Sequence, residues 1–164
     1  DLKDIQQAIL LRRMLADLHM TAPLPHNLVI LPTHRSASSG GLALSSRNAY
    51  LSPSELAFST VLITALRAAS DVWTAQRGAD GAGAVVVQDV LQAARAVVAE
   101  MEPVADKEGV FVKGMYFQLN DPEQLWDLES TGEVAPGKGA VLSGAVMLGR
   151  TRLIDNVVFE YKLN

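Results

Sequence analysis

Ser45, Ser46, Arg47 and Asn48 stand side by side within Gly41-Leu42-Ala43-Leu44-Ser45-Ser46-Arg47-Asn48-Ala49-Tyr50-Leu51. The two hydroxyls and the amide offer hydrogen bonds. Arg47 adds a permanently charged planar fork of donors, the side chain best matched to phosphate or carboxylate oxygens. Ser52-Pro53-Ser54-Glu55 then reads as N-cap, first-turn proline and third-position glutamate, a capping box that opens a helix. Donors this closely packed between apolar stretches describe an anion-binding turn. The plainer alternative is an exposed polar loop, since Ser and Asn are common loop residues. Lys3 is a second candidate, because a cation at a helix N-terminus is disfavoured unless an anion lies nearby. Its plain alternative is a solvated surface lysine. Together Lys3, Ser45, Ser46 and Arg47 make a cationic, hydroxyl-bearing cradle that can stabilise phosphate charge by preorganised hydrogen bonds.

The elements that must carry these groups follow from periodicity. Lys3 to His19 reads as a helix with Ile5, Ala8, Ile9, Leu11, Leu15 and Leu18 at helical spacing. Asp4 is placed to cap it, with Gln7 at the third helical position. Asn27 to Leu31, closed by Pro32, reads as a short buried strand, and helix then strand fits an α/β unit of a parallel sheet. Thr33 to Gly41 is a Ser/Gly loop in which His34 and Arg35 point at a ligand or simply at solvent. Pro53 to about Gln76 is a long helix, with Trp73 in a core role near its end. Ala84 to Glu102 is another helix, stopped by Pro103. A strand over Gly109 to Leu119 and a capped helical turn at Asp121-Pro122-Glu123-Gln124 come next, and Thr131 to Gly139 is loop. Strands Ala140 to Leu148 and Thr151 to Tyr161 meet at Gly149-Arg150 as a hairpin.

Composition narrows the function classes. The chain has 164 residues, 49% apolar and 20% charged, ordinary values for a globular protein. A net charge of −4 argues against a nucleic-acid-binding module. No uninterrupted apolar run approaches the roughly 20 residues that span a bilayer. With no cysteine, neither disulfides nor thiolate metal sites are available, which fits a reducing compartment. His19, His26 and His34 lack metal-ligand spacing, so no metal site built from protein ligands is expected. The chain holds neither Gly-x-x-x-x-Gly-Lys-Ser/Thr nor Gly-x-Gly-x-x-Gly, and no nucleophilic triad assembles.

Gly41 to Leu51 resembles the signature of the pantothenate synthetases (pantoate–β-alanine ligases). Lys3-Asp4-Ile5-Gln6-Gln7 upstream and Gly149-Arg150-Thr151-Arg152-Leu153-Ile154-Asp155-Asn156 near the end resemble further blocks of that family, in the same order. The resemblance implies ATP-dependent ligation of pantoate and β-alanine through a pantoyl adenylate, with Mg²⁺, releasing AMP and pyrophosphate. It implies that Lys3 contacts the ATP phosphates, Asp4 the ribose and Gln7 the pantoate. Leu44 would offer backbone contacts beside the adenine, while Ser45, Ser46 and Arg47 grip the triphosphate. The block at Thr151 to Asn156 reads as structural, with Asp155 and Asn156 bonding local backbone.

The implied fold is the end of a Rossmann-like nucleotidyl-transferase α/β domain followed by a small α+β lid domain of helices plus a three-stranded antiparallel sheet. Residues 1–48 would be the α/β remnant with its hinge loop and 49–164 the lid. The family's His-x-Gly-His motif and its first pantoate-binding glutamine do not occur in this sequence. The expectation is therefore a truncated chain, the C-terminal portion of a cytoplasmic ligase, inactive by itself. Family members dimerise through the N-terminal domain, so the dimer surface is expected outside this chain. Two departures bear on substrate contacts: Asp1-Leu2 precedes Lys3, and Arg35-Ser36-Ala37-Ser38-Ser39-Gly40-Gly41 loses the acids usual there. The alternative function is a non-catalytic nucleotide-binding or interaction module derived from the lid.

Overall fold

A computed structural model describes residues 1–37 and 39–162. Ser38 of the expected loop, and 163 and 164 at the end of the expected second domain, lie outside the described residues. The element order is α1 (Ile5–Asp17), β1 (Arg35–Ser36), β2 (Leu42–Ala43), α2 (Pro53–Phe58), α3 (Val61–Arg77), β3 (Val85–Val86), α4 (Val87–Lys107), β4 (Val112–Asn120), β5 (Glu133–Val134), β6 (Ala140–Leu148) and β7 (Thr151–Phe159), with short 3₁₀ turns at Leu2–Asp4, Pro25–Asn27, Ser46–Tyr50 and Glu129–Thr131.

The expected three-stranded antiparallel sheet is present, in the order β4-β6-β7. Its hairpin turns at Gly149, whose φ of +55° is unfavourable for any residue with a Cβ. Period-two alternation gives the sheet two different faces. Phe117, Leu119, Leu142, Val146, Leu153 and Phe159 face α3 and α4 and join Leu62, Leu66, Ala69, Leu91 and Val98 in the main core. Gly144 lies opposite Phe117 in the β4–β6 ladder, and an added Cβ would stand 2.7 Å from the Phe117 ring, so only glycine fits there. Trp73 is buried and stacks on Phe159 with ring centroids 4.3 Å apart, the core role expected of it. The opposite face presents Val141 and Val158, which pack with Ile5, Ile9 and Ile30 of the N-terminal segment. The sheet is thus sandwiched between the two long helices and α1.

Several elements differ from the sequence reading. Residues 27–31 form no strand, because no strand among the described residues pairs with them. Val29 and Leu31 are left exposed, and only Ile30 turns inward. The long helix from Pro53 breaks into α2 and α3 at Ser59, whose buried hydroxyl donates to the Leu56 carbonyl at 2.7 Å and competes with the helical ladder. The capping box at Ser52 and Glu55 is present in both directions. Although Pro53–Arg77 is long and apolar enough in composition to cross a membrane, its apolar side is the core face just described.

The next helix starts later than expected, at Val87, because Val85 and Val86 pair with β5 instead. It does not stop at Pro103 but runs to Lys107. The proline sits on the exposed side, and the helix beyond it buries Ala105 completely, which offsets the missing amide. The same pairing gives the expected 131–139 loop a short strand. Asp121 to Gln124 form a turn rather than a helix: Asp121 Oδ1 accepts from the amides of Glu123 and Gln124 at 2.9 and 2.6 Å.

Candidate functional site

Local chemistry shapes the loop that holds the polar donors. Ser45 is extended and its Oγ accepts from the Arg47 amide at 3.3 Å, which starts the 3₁₀ turn Ser46–Tyr50. Asn48 donates from Nδ2 to the Ala43 carbonyl at 3.0 Å and closes the loop from within, leaving its buried Oδ1 without a partner among the described residues. The Ser45 hydroxyl hydrogen and the whole Arg47 guanidinium stay available, since no acceptor for Arg47 is present among the described residues.

Lys3 ties this loop to the N-terminal segment. Its Nζ donates to the Leu44 carbonyl at 2.7 Å, across 41 residues of chain, and stands 3.6 Å from Asp1 Oδ2. Its backbone amide is capped by Asp1 Oδ1 at 3.0 Å. Asp1 therefore performs the side-chain capping expected of Asp4, which occupies the N-cap position of α1 without a side-chain bond. The Leu44 amide donates to the His34 carbonyl at 2.8 Å, so both backbone groups of Leu44 already have partners and only a second carbonyl lone pair remains for a ligand.

Two clefts meet at Lys3. The first is lined by Lys3, Ser45, Arg47, Asn48, Arg152 and Asp155, over a floor that includes Leu42, Leu62 and Leu153. The second, of about 230 Å³, lies between the start of α1 and the sheet, with Lys3, Asp4, Gln7, Tyr116, Ser143 and Arg152 around it. Of the sequence candidates, Lys3, Ser45 and Arg47 come together in the first cleft and Lys3, Asp4 and Gln7 in the second. Leu44 touches the site through its carbonyl, and Ser46, exposed at the start of the 3₁₀ turn, lines neither cleft.

Sequence reasoning missed the sheet's share of the site. Arg152 and Asp155 line both clefts, although their block reads as structural from sequence alone. Asp155 is buried and does not chiefly bond local backbone. Arg35 grips it with both ends of its guanidinium, Nη1 to Oδ2 at 2.5 Å and Nη2 to Oδ1 at 3.0 Å. Arg35 is therefore a structural clamp between the loop and β7 rather than a group aimed at a ligand. Asn156 meets the expectation of a backbone contact, but a distant one, donating to the Leu2 carbonyl at 2.7 Å. The sequence signal for these roles was the charge of Arg152 and Asp155 inside a strand that also carries Leu153, Ile154, Val157, Val158 and Phe159.

This arrangement has close counterparts. The model of the family described as pantoate-beta-alanine ligase matches residues 2–158. A pantothenate synthetase of Chloroflexus aggregans is 38% identical over 154 residues, covering 94% of this chain and 47% of its own length. That of Roseiflexus sp. (strain RS-1) is 38% identical over 159 residues, covering 96% and 48%. The crystal structure of pantothenate synthetase from Thermus thermophilus superposes with a TM-score of 0.68 at 29% identity, over 97% of this chain and 48% of that one. The chain thus spans about half the length of the curated relatives it matches. With the match running through the turn at Lys3, the Ser45–Arg47 loop and the β6–β7 hairpin, the chain belongs to the pantoate–β-alanine ligase family.

Proposed function

We propose that this chain supplies the C-terminal part of a cytoplasmic active site that joins pantoate to β-alanine at the expense of ATP. Residues 1–48 would belong to the nucleotide-binding domain and 49–164 to the lid, with 41–48 at the hinge. In the reaction a pantoate carboxylate oxygen bonds to the α-phosphorus as the bond to pyrophosphate breaks. The β-alanine amine then attacks the acyl carbon, loses its proton to solvent, and AMP departs with the acyl oxygen.

The observation that carries this reading is the convergence of Lys3 and Arg47 on one cleft, with the Lys3 ammonium fixed by the Leu44 carbonyl. Bringing a carboxylate up to a triphosphate sets anion against anion, and fixed cations offset that repulsion with little reorganisation. Lys3 would neutralise charge as pyrophosphate leaves, with Arg47 and the Ser45 hydroxyl binding phosphate oxygens and Ser46 adding its hydroxyl from the turn. Asp4 would accept from the ribose hydroxyls. Gln7 would orient pantoate, and the free Leu44 carbonyl lone pair would face the adenine. No group of three His, Asp or Glu among the described residues is placed to hold a metal ion, so the described residues provide no Mg²⁺ cage of their own.

Titration calorimetry with ATP tests the cradle. Binding by the chain is expected, weakened about tenfold or more in Lys3→Ala and in Arg47→Ala, the scale of losing a charge-assisted hydrogen bond. Equal affinity in both variants would overturn the assignment. AMP release from ATP with pantoate and β-alanine is expected from a protein that carries the remaining half of the family's length as well, and not from these residues alone. Release by this chain that requires both substrates would show that it suffices.

A further inference from the structure

We infer that Arg152 is a third anion-binding cation of the site, contacting the phosphate groups at the junction of the two clefts; this rests on the phosphate-cradle reading above. Arg152 lies on β7 opposite Met147 of β6, on the sheet face turned toward the start of α1. It is exposed and, together with Lys3, Ile154 and Asp155, lines both clefts. No acceptor for its guanidinium is present among the described residues.

Charge balance makes the position informative. Lys3, Arg47 and Arg152 line the first cleft, and the acid that lines it with them is Asp155. That carboxylate is already taken by both ends of the Arg35 guanidinium. Lys3 has Asp1 Oδ2 at 3.6 Å, whereas the Arg47 and Arg152 guanidiniums line the cleft with no paired carboxylate among the described residues, in a chain whose net charge is −4. Like charges brought together repel, and a bound polyanion offsets that cost. Lys3 is a point charge fixed to the loop, whereas Arg152 presents a flat fork from a rigid strand, suited to two oxygens of one phosphate. Because Arg152 reaches both clefts, its place is where the phosphate in one meets the acid in the other.

Inorganic pyrophosphate is the probe, titrated calorimetrically into the chain at low and high salt. Arg152→Ala is expected to weaken pyrophosphate binding about tenfold or more. Arg152→Lys should recover part of the loss. Arg150→Ala removes the same charge at an exposed hairpin position that lines neither cleft, and should stay within about twofold, because an exposed charge at that range is screened. Unfolding midpoints equal to the parent's confirm that each variant is folded, and Arg152→Gln, which keeps most of the side chain, replaces the alanine variant if that one is not. Equal losses at Arg150 and Arg152 would reduce the effect to net charge and overturn the assignment. Unchanged binding in Arg152→Ala, with binding lost in Lys3→Ala, would overturn Arg152 alone and leave the cradle standing. Absence of pyrophosphate and ATP binding by the parent chain would overturn both.

Discussion

Replacing Arg35 by methionine should destabilise the fold far more than the loss of a surface arginine. Asp155 is only 4% exposed and takes two bonds from Arg35; its remaining bond is from the Asn156 amide at 2.9 Å. Arg35→Met removes the counter-charge and both of those bonds but leaves the carboxylate in place. Breaking a buried pair by removing one partner costs about 3–5 kcal/mol. The Arg35 side chain is 28% exposed, so water can reach part of the vacated space, and the surviving amide bond satisfies one lone pair. Both point to the lower end, about 3 kcal/mol. For a chain of this length that is a fall of about 6–12 °C in Tm. Urea unfolding should show a lower midpoint with the same m-value. The double variant Arg35→Met/Asp155→Leu should recover most of the loss, because no stranded charge remains. Since Asp155 lines both clefts, the single variant should also bind pyrophosphate more weakly, an unpaired carboxylate now facing the anion. A cost below about 1 kcal/mol, typical of an exposed ion pair, would refute the clamp.

Arg77 supports a parallel expectation elsewhere in the core. Its guanidinium is buried, lies 5.0 Å from the Trp73 ring centroid, bonds the carbonyls of Gly83 and Lys138 at 2.6 and 2.9 Å, and pairs with Glu160 at 3.0 Å. Arg77→Ala should cost about 3 kcal/mol in urea unfolding and loosen the 83–85 and 138–140 segments first, visible as faster amide exchange there. Tyr161, near Arg12, Glu123 and Ile9, has its phenol pKa raised above the usual 10.0, first by burial and then by Glu123. The folded state therefore holds this proton more tightly than the unfolded chain. Stability should fall as pH rises above about 10, through the raised value, and Tyr161→Phe should flatten that alkaline limb in a pH series of thermal melts.

Sequence alone determined what acts within a few residues. The Ser52–Glu55 capping box, the span of α1, the β6–β7 hairpin with its glycine turn and the core role of Trp73 are local signals, readable from spacing and side-chain type. The three motif blocks also marked the family, because they are contiguous strings. Tertiary structure decided whatever depends on a partner far along the chain. Residues 27–31 have the composition of a strand but no neighbour among the described residues to complete a ladder, and composition cannot supply one. Pro103 reads as a helix stop, yet packing beyond it carries the helix on to Lys107. Arg35 and Asp155 lie 120 residues apart, and Lys3 and the Leu44 carbonyl 41 apart, so neither contact leaves a local trace. Arg152 joined the site because strand alternation and the docking of α1 gave that face of the sheet to the clefts. A charge in a strand is visible in sequence, but which face it serves is fixed only when the sheet finds what packs against it.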